Sequence, residues 1–371
     1  MKNRDRARAI LWGLGALGSK VVDAFAAGVD DLEIAGAVDH DPRLANRSLR
    51  DAFSSAALPD LIIQPSLESC IAGLERPADV LFHMTESHVP TIRPQLDAAM
   101  NAGMNVISAS EGMFHPKLRF PAEARALHDC ALRNGVSVVG CGINPGFVFD
   151  SLVLVLGRVS TAVTSVSASR VVDVTGTGPH DIDHVGFGLP TGEFEDKLKT
   201  GRIVGHMSMP ESIASLGERF GLEIERIDED WKAHTYPEAI ESGSDLGPIE
   251  PGCVVGITQT GAGYARGRAA IRLTLEMFYG PDRFGHRQID EIFIEGTHRI
   301  HASLTPAAVS IKGAGLMIIN AAHDVISAAP GLCSVLDFSM GGRRRGGFEL
   351  ILDPDNAPAH NKTWLAPRYL E

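Results

Sequence analysis

Glu111 is the acid best placed for proton chemistry in this sequence. It follows the strand-like run Asn105-Val-Ile-Ser, and its neighbours Met113 and Phe114 could form the apolar surroundings that raise a carboxyl pKa toward general acid or base work. An acid at that position also starts many helices, so the residue type alone leaves both readings open. Asn144-Pro145-Gly146 follows another apolar run. Its side-chain amide and rigid turn either orient a carboxamide or a carbonyl, or form a simple hinge. His83 and Thr85, after the run Val80-Leu-Phe, either border a ribose and its phosphates or only stabilise their loop.

The positions of these residues become meaningful beside Gly13-Leu14-Gly15-Ala16-Leu17-Gly18, which follows the apolar run Ala9-Ile-Leu-Trp. Gly13 suits a tight strand-to-helix turn, Gly15 lets backbone N–H groups approach a pyrophosphate, and Gly18 lets the helix pack closely on the strand. A second apolar run, from Leu32 to Val38, ends in Asp39, whose carboxylate can accept both hydroxyls of an adenosine ribose. A strand, a glycine turn, a helix and a closing acid together specify a dinucleotide site. The acid favours NAD(H). His40 and Arg43 lie just beyond it and either tolerate the 2′-phosphate of NADP(H) or are solvated loop residues.

These loops need a scaffold, and the pattern of apolar runs supplies one. Strands are predicted over 9–12, 33–38, 61–63, 80–84, 105–108 and 137–141, alternating with helices over 17–27, 67–74, 90–102 and 122–134. That alternation is the signature of an α/β, Rossmann-type, doubly wound parallel sheet, in which ligands bind at the carboxyl ends of the strands. From about residue 146 longer alternating runs over 165–174, 268–278 and 291–298, with a helix over 210–220, predict a second α+β domain with an open, mostly antiparallel sheet. The expected division is a dinucleotide-binding domain over 1–145 and a substrate and dimerisation domain over 146–304. A long apolar helix near 305–328 is expected to pack back on the first domain, ahead of a C-terminal segment over 329–371.

The chain has 371 residues, 44% hydrophobic and 22% charged, with a net charge of −12. That charge argues against general nucleic-acid binding, and Arg343-Arg344-Arg345 is too short a cluster to reverse it. No apolar run reaches membrane-spanning length, and the polar start leads directly into the first strand, so a cytoplasmic protein is expected. The five cysteines form no Cys-x-x-Cys pair and read as reduced thiols. His180/His184 and His298/His301 have metal-compatible spacings but no third ligand in pattern, so no metal is expected.

Taken together, several blocks resemble the native amine dehydrogenases and 2,4-diaminopentanoate dehydrogenases, often labelled dihydrodipicolinate-reductase-like for their first domain. They are the glycine loop, Ala35-Gly-Ala-Val-Asp39-His-Asp-Pro42, the run before Glu111 and Gly140-Cys-Gly-Ile-Asn144-Pro-Gly-Phe-Val-Phe-Asp150. Val185-Gly-Phe-Gly-Leu-Pro190, Gly205-His-Met-Ser-Met-Pro-Glu-Ser212 and Ala329-Pro-Gly-Leu332 extend the match over nearly the whole chain. The resemblance implies NAD(P)H-dependent reductive amination of a ketone or aldehyde with ammonia, the reverse deamination of an amine, and a homodimer. It makes Glu111 the catalytic carboxylate and adds Asn144, Phe149, Arg170 and His298 as pocket residues. It also implies a second acid beside the catalytic one in the diaminopentanoate enzymes. Here Ser110 and Gly112 stand there, which points toward a simpler carbonyl. A reductase of preformed imines or plain ketones, and a non-catalytic dinucleotide sensor, are the competing readings.

Overall fold

The computed structural model describes residues 6–175, 185–203, 205–243 and 246–338. Its first half is built on β1 (Ala7–Trp12), β2 (Leu32–Val38), β3 (Ile63–Gln64), β4 (Val80–His83), β5 (Asn105–Ser108) and β6 (Ser137–Gly140). Helices α1 (Ala16–Gly28), α2 (Val89–Asn101) and α3 (Pro121–Asn134) connect them. Strands covered on both faces must be apolar throughout, and Ala9, Ile10 and Leu11 of β1 are fully buried. All the pairings are parallel, and the register sets Val38, Trp12, His83, Ser108 and Gly140 in one row across the sheet. The loops that follow these five residues therefore leave from one edge.

The second half contains β7 (Ser165–Asp173), α4 (Met209–Phe220), β8 (Arg226–Thr235), the short ribbon β9 (Ile240–Glu241) and β10 (Pro248–Ile249), then β11 (Val254–Ala265), β12 (Arg268–Phe278), β13 (Ile289–Glu295) and β14 (Ile300–Leu304). The six long strands form a sheet in the order β14-β13-β7-β12-β11-β8, antiparallel except where β7 meets β12. Helix α4 lies directly on this sheet. Added Cβ atoms at Gly261 and Gly263 would fall 2.7 Å from Met209 Cγ and 2.4 Å from Ile213 Cγ2.

The chain then returns to the first sheet. Helix α5 (Ser310–Ser327) puts Ile318, Ile319, Ala322 and Val325 into the same core as Ala9 and Leu11, and packs beside α1. β15 (Gly331–Leu332) pairs in parallel with β6 and becomes a seventh strand, giving the order β15-β6-β5-β4-β1-β2-β3. Two residues carry no periodic signal, so the sequence reading contains no strand there. Among the described residues no helix is long and apolar enough to cross a membrane.

Arg170 of β7 is 1% exposed and fixes the start of α5. It pairs with the buried Asp290 at 3.3 Å and donates to the Ala308 carbonyl and to Ser310 Oγ, while Asp290 accepts the Ala308 N–H at 2.8 Å. Removing one partner of such a pair leaves a buried charge uncompensated. We expect Asp290→Ala to lower the unfolding free energy by about 3–5 kcal/mol in urea denaturation. A loss within experimental error would mean that the pair does not hold α5.

Candidate active site

The glycine loop has the geometry of an anion cradle. Gly13 has φ +91°, and a Cβ there would come within 2.5 Å of the Met84 carbonyl oxygen. A Cβ on Gly18 would fall 2.0 Å from the Gly13 oxygen, so the start of α1 can sit this close to the loop only with glycine. A Cβ on Gly15 would meet nothing within 4 Å, which leaves space in front of the helix N-terminus for a phosphate group. Asp39 is buried against this loop, its Oδ2 accepting the Leu14 N–H at 2.7 Å and its Oδ1 the Asp41 N–H at 2.8 Å. Each carboxylate oxygen has a second lone pair for a ribose hydroxyl, so the residues present fit a dinucleotide. Arg43 is exposed and ion-paired at 2.6 Å with Asp41, whose carboxyl it holds down to about 2 by hydrogen bonding. His40 is exposed.

Glu111 begins a single 3-10 turn (Glu111–Met113) beyond β5. The turn lies flush on the end of β6, since a Cβ on Gly140 would come 2.3 Å from the Met113 carbonyl carbon. Gly112 is equally confined: its Cβ would meet Val89 Cγ2 at 2.8 Å and the Ser87 carbonyl at 3.0 Å. Ser110 donates to that same Ser87 carbonyl at 2.7 Å. A second carboxylate beside Glu111 has no room at position 112.

The carboxylate of Glu111 is held by the second domain. Its Oε2 accepts the Met207 N–H at 3.0 Å and lies 3.2 Å from His206 Nδ1, and its backbone carbonyl accepts Ser208 Oγ at 2.8 Å. The segment around His206 is itself pinned by Gln259 of β11, which accepts the His206 N–H at 2.8 Å and donates to the His206 carbonyl at 2.9 Å. Arg119, a few residues beyond Glu111, pairs with the buried Glu211 of α4 at 2.7 Å and donates to the Met207 carbonyl. Burial pushes Asp150 up to about 6, while its Oδ2 accepts the Gly146 N–H at 2.8 Å.

Glu111 faces a cleft of about 260 Å³ at the carboxyl edge of the first sheet. Leu17, Phe114, Asn144, Pro145 and Ser310 are among its walls, so α1, the loop after β6 and α5 converge on one space. Asn144 Nδ2 lies 3.1 Å from His206 Nε2.

Other residues singled out from the sequence lie elsewhere. The ring of His83 is buried, bonded to Ser108 at 3.0 Å, Gln95 at 2.7 Å and Thr85 at 2.8 Å, and burial lowers its pKa to about 4. His83 and Thr85 thus bond to each other and to α2 and do not line the cleft. Phe149 is a fully buried core residue packed with Val148 and Val153, and Arg170 is committed to Asp290. His298 is exposed on the turn between β13 and β14, its N–H facing Ser160. None of these three reaches the cleft. The local matches behind Arg170 and His298 are loose and carry residue type but not direction, and Phe149 is taken up by the core. His180, His184 and Arg343 to Arg345 lie outside the described residues. Among the described residues no three His, Cys, Asp or Glu side chains come together to hold a metal, and His301 faces Glu291 at 3.4 Å. Sequence reasoning gave no role to His206, Gln259 or Asp150. Two of them sit within quoted motifs, but only the domain crossing reveals what they face.

Residues 147–348 match the family described as the 2,4-diaminopentanoate dehydrogenase C-terminal domain. The chain belongs to this family. It is 26% identical over 351 residues to the 2,4-diaminopentanoate dehydrogenase of Acetoanaerobium sticklandii, covering 95% of this chain and 98% of that one. Amine dehydrogenase from Mycobacterium smegmatis shares the fold with a TM-score of 0.77 at 21% identity, covering 91% of this chain and 97% of that one. The scyllo-inositol dehydrogenase of Lactobacillus casei, solved with NAD(H) and scyllo-inositol, matches at a TM-score of 0.50 and 14% identity, over 81% and 76% of the two chains.

The glycine loop separates packing from ligand approach. We expect Gly18→Ala to lower the melting temperature of the free protein more than Gly15→Ala, because only the former meets backbone. Gly15→Ala should weaken NADH binding at least about tenfold in a fluorescence titration, a loss of about 1.4 kcal/mol. Unchanged NADH affinity in Gly15→Ala would place the phosphates elsewhere.

Proposed function

We propose that this chain catalyses the reductive amination of a small uncharged ketone or aldehyde with ammonia, and the reverse deamination of the amine, using NAD(H). Membership of the diaminopentanoate dehydrogenase family, with 26% identity over 95% of the chain, supports a nicotinamide-dependent oxidoreductase acting on amines. The observation that carries a neutral carbonyl as substrate is the cleft lining. Among the described residues Glu111 is the charged side chain in that lining, and no Lys or Arg joins it. Among these lining residues a substrate carboxylate would meet no Lys or Arg and would be repelled by Glu111, which favours a neutral carbonyl over a keto acid. The packed surroundings of Gly112 favour a monoamine over a diamine.

When bound, the dinucleotide supplies the hydride in amination and takes it in deamination. Glu111 manages the proton. As a carboxylate it holds ammonium, takes a proton as the nitrogen attacks the carbonyl carbon, and returns it to the hydroxyl that leaves as water. Its negative charge then steadies the iminium cation that accepts hydride. Asn144, with Pro145 beside it, is suited to orient the carbonyl or the carboxamide from the loop after β6. Asp39 favours NAD(H) over NADP(H), because a 2′-phosphate would face its carboxylate while Arg43 is already paired with Asp41. The remaining cofactor contacts would come from Gly13, Leu14, Gly15, Ala16, Leu17 and Gly18.

We also propose a homodimer through the outer face of the second sheet, where Phe293 is 43% exposed and stacks on His301. A reducing, cytoplasmic setting is supported by five cysteines that are all unpaired.

Glu111→Gln keeps the shape and removes the charge. We expect NADH affinity to stay within about twofold and ammonium-dependent NADH oxidation to fall at least ~100-fold, the scale of losing a general base. The wild-type rate should rise toward alkaline pH as free ammonia accumulates. A Gln variant that keeps most of its amination rate at saturating ammonium would remove Glu111 from the chemistry.

A further inference from the structure

His206 has no part in the reaction as described so far, yet it touches Glu111 and Asn144, two of the polar residues that line the cleft. Its ring is 6% exposed. Nδ1 lies 3.2 Å from Glu111 Oε2, and Nε2 lies 3.1 Å from the Asn144 amide. An ionised carboxylate can only accept, so Nδ1 must carry a proton in this contact. The position of the ring is dictated from outside its own loop. Gln259, fully buried on β11, holds the His206 N–H and carbonyl together and donates to Glu229 at 3.0 Å.

We propose that His206 is the positioning residue of this active site, locking Glu111 and Asn144 into one Glu–His–Asn unit and supplying the positive charge that keeps Glu111 an acceptor for protons. This rests on the reading of Glu111 as the working carboxylate. The charges around the ring favour the cation. Glu111 faces it from the turn after β5, Asp150 from the loop after β6, Glu211 from α4 and Glu229 from β8. Arg119, paired with Glu211, is a cation bonded into this group of four acids. Burial alone would lower the pKa of His206, but Glu111 foremost, with Asp150 and Glu211, outweighs it and leaves the ring raised. The Asn144 amide suits either state of the ring, its Nδ2 donating to an unprotonated Nε2 as placed. As placed, its Oδ1 is buried with no hydrogen-bond partner. Turning the amide by half a rotation keeps its shape and would set that oxygen against a protonated Nε2.

A coupled pair makes a different prediction from a merely structural histidine. Its two protons titrate together, so a change at Glu111 must be felt at His206. The ring can be followed by 15N-edited NMR in the cofactor-free protein, assigned by its loss in His206→Asn. We expect its titration midpoint to fall by about one pH unit or more in Glu111→Gln, the usual size of an opposite charge at this distance. An unchanged midpoint would overturn the pairing. In turnover, His206→Asn should keep NADH affinity within about twofold while kcat drops roughly 10- to 100-fold, the scale of a misplaced reacting group. The pH profile of kcat should move with it, because the Asn amide can stand in for Nδ1 but carries no charge and lacks the second ring nitrogen that meets Asn144. Wild-type kcat and pH profile in His206→Asn would overturn the positioning role. If His206→Asn does not fold, the ring is assigned by its loss in His206→Gln, and comparing the spectra of the wild type and Glu111→Gln decides the pairing. Loss of amination in every protein, wild type included, would count against the proposed activity, and the NMR comparison would then decide the pair without turnover.

Discussion

A carboxylate at the end of a buried parallel strand cannot be held by the strand that carries it. The backbone groups of β5 are engaged in the ladder, and Glu111 emerges one short turn later at an open edge. Two donors reach Glu111 from the second domain, the Met207 N–H and the His206 ring. That crossing contact shapes much of the molecule. Gln259 holds the donor segment, α4 carries Glu211 to meet Arg119, and α4 reaches its place because β11 offers glycines where the helix crosses. α5 completes the arrangement from the other side. It brings Ser310 and Ala314 to the cleft wall and buries its apolar face on the first sheet.

The same contact explains how the cleft can combine opposite demands. Phe114, Leu17 and Ile311 make part of it apolar, which excludes water and strengthens electrostatics nearby. A carboxylate left in such a place would be costly, and the paired imidazole and backbone N–H offset that cost. The positive end of α1 and the open space at Gly15 lie along the same edge, so an anionic cofactor and a proton-handling acid share one wall without competing for the same donors.

The first sheet was legible because its strands are covered on both faces and read as short apolar runs between turn signals. The strands over 105–108 and the helix over 122–134 match the structure to within a residue or two. The second sheet was only partly legible. β12 reads directly from its sequence, whereas β11 is interrupted by Gly256, Gly261 and Gly263 and resembles a loop. Those glycines are present because Phe278, Met209 and Ile213 lie against the strand, a tertiary reason with no local signature. β8 alternates charged and partly buried residues at the edge of the sheet, and it too lacks an apolar run. For the site, Glu111, Asn144 and the glycine loop could be found from their position after predicted strands. His206 could not, since a histidine before a helix becomes meaningful only once α4 is known to sit against the turn after β5. Arg170 shows the opposite failure. A motif can bring attention to a charged residue, but its partner Asp290 lies 120 positions away, and only folding shows that the charge is already satisfied.

The central claim is that this cleft joins ammonia nitrogen to a carbonyl carbon. The most direct test supplies 15N-labelled ammonium with NADH and a panel of small neutral aldehydes and ketones, then examines the products by mass spectrometry. The account expects an amine carrying one 15N atom for each NADH consumed, and no NADH loss when ammonium is left out. NADH consumption that proceeds without ammonium and yields an unlabelled alcohol would contradict it.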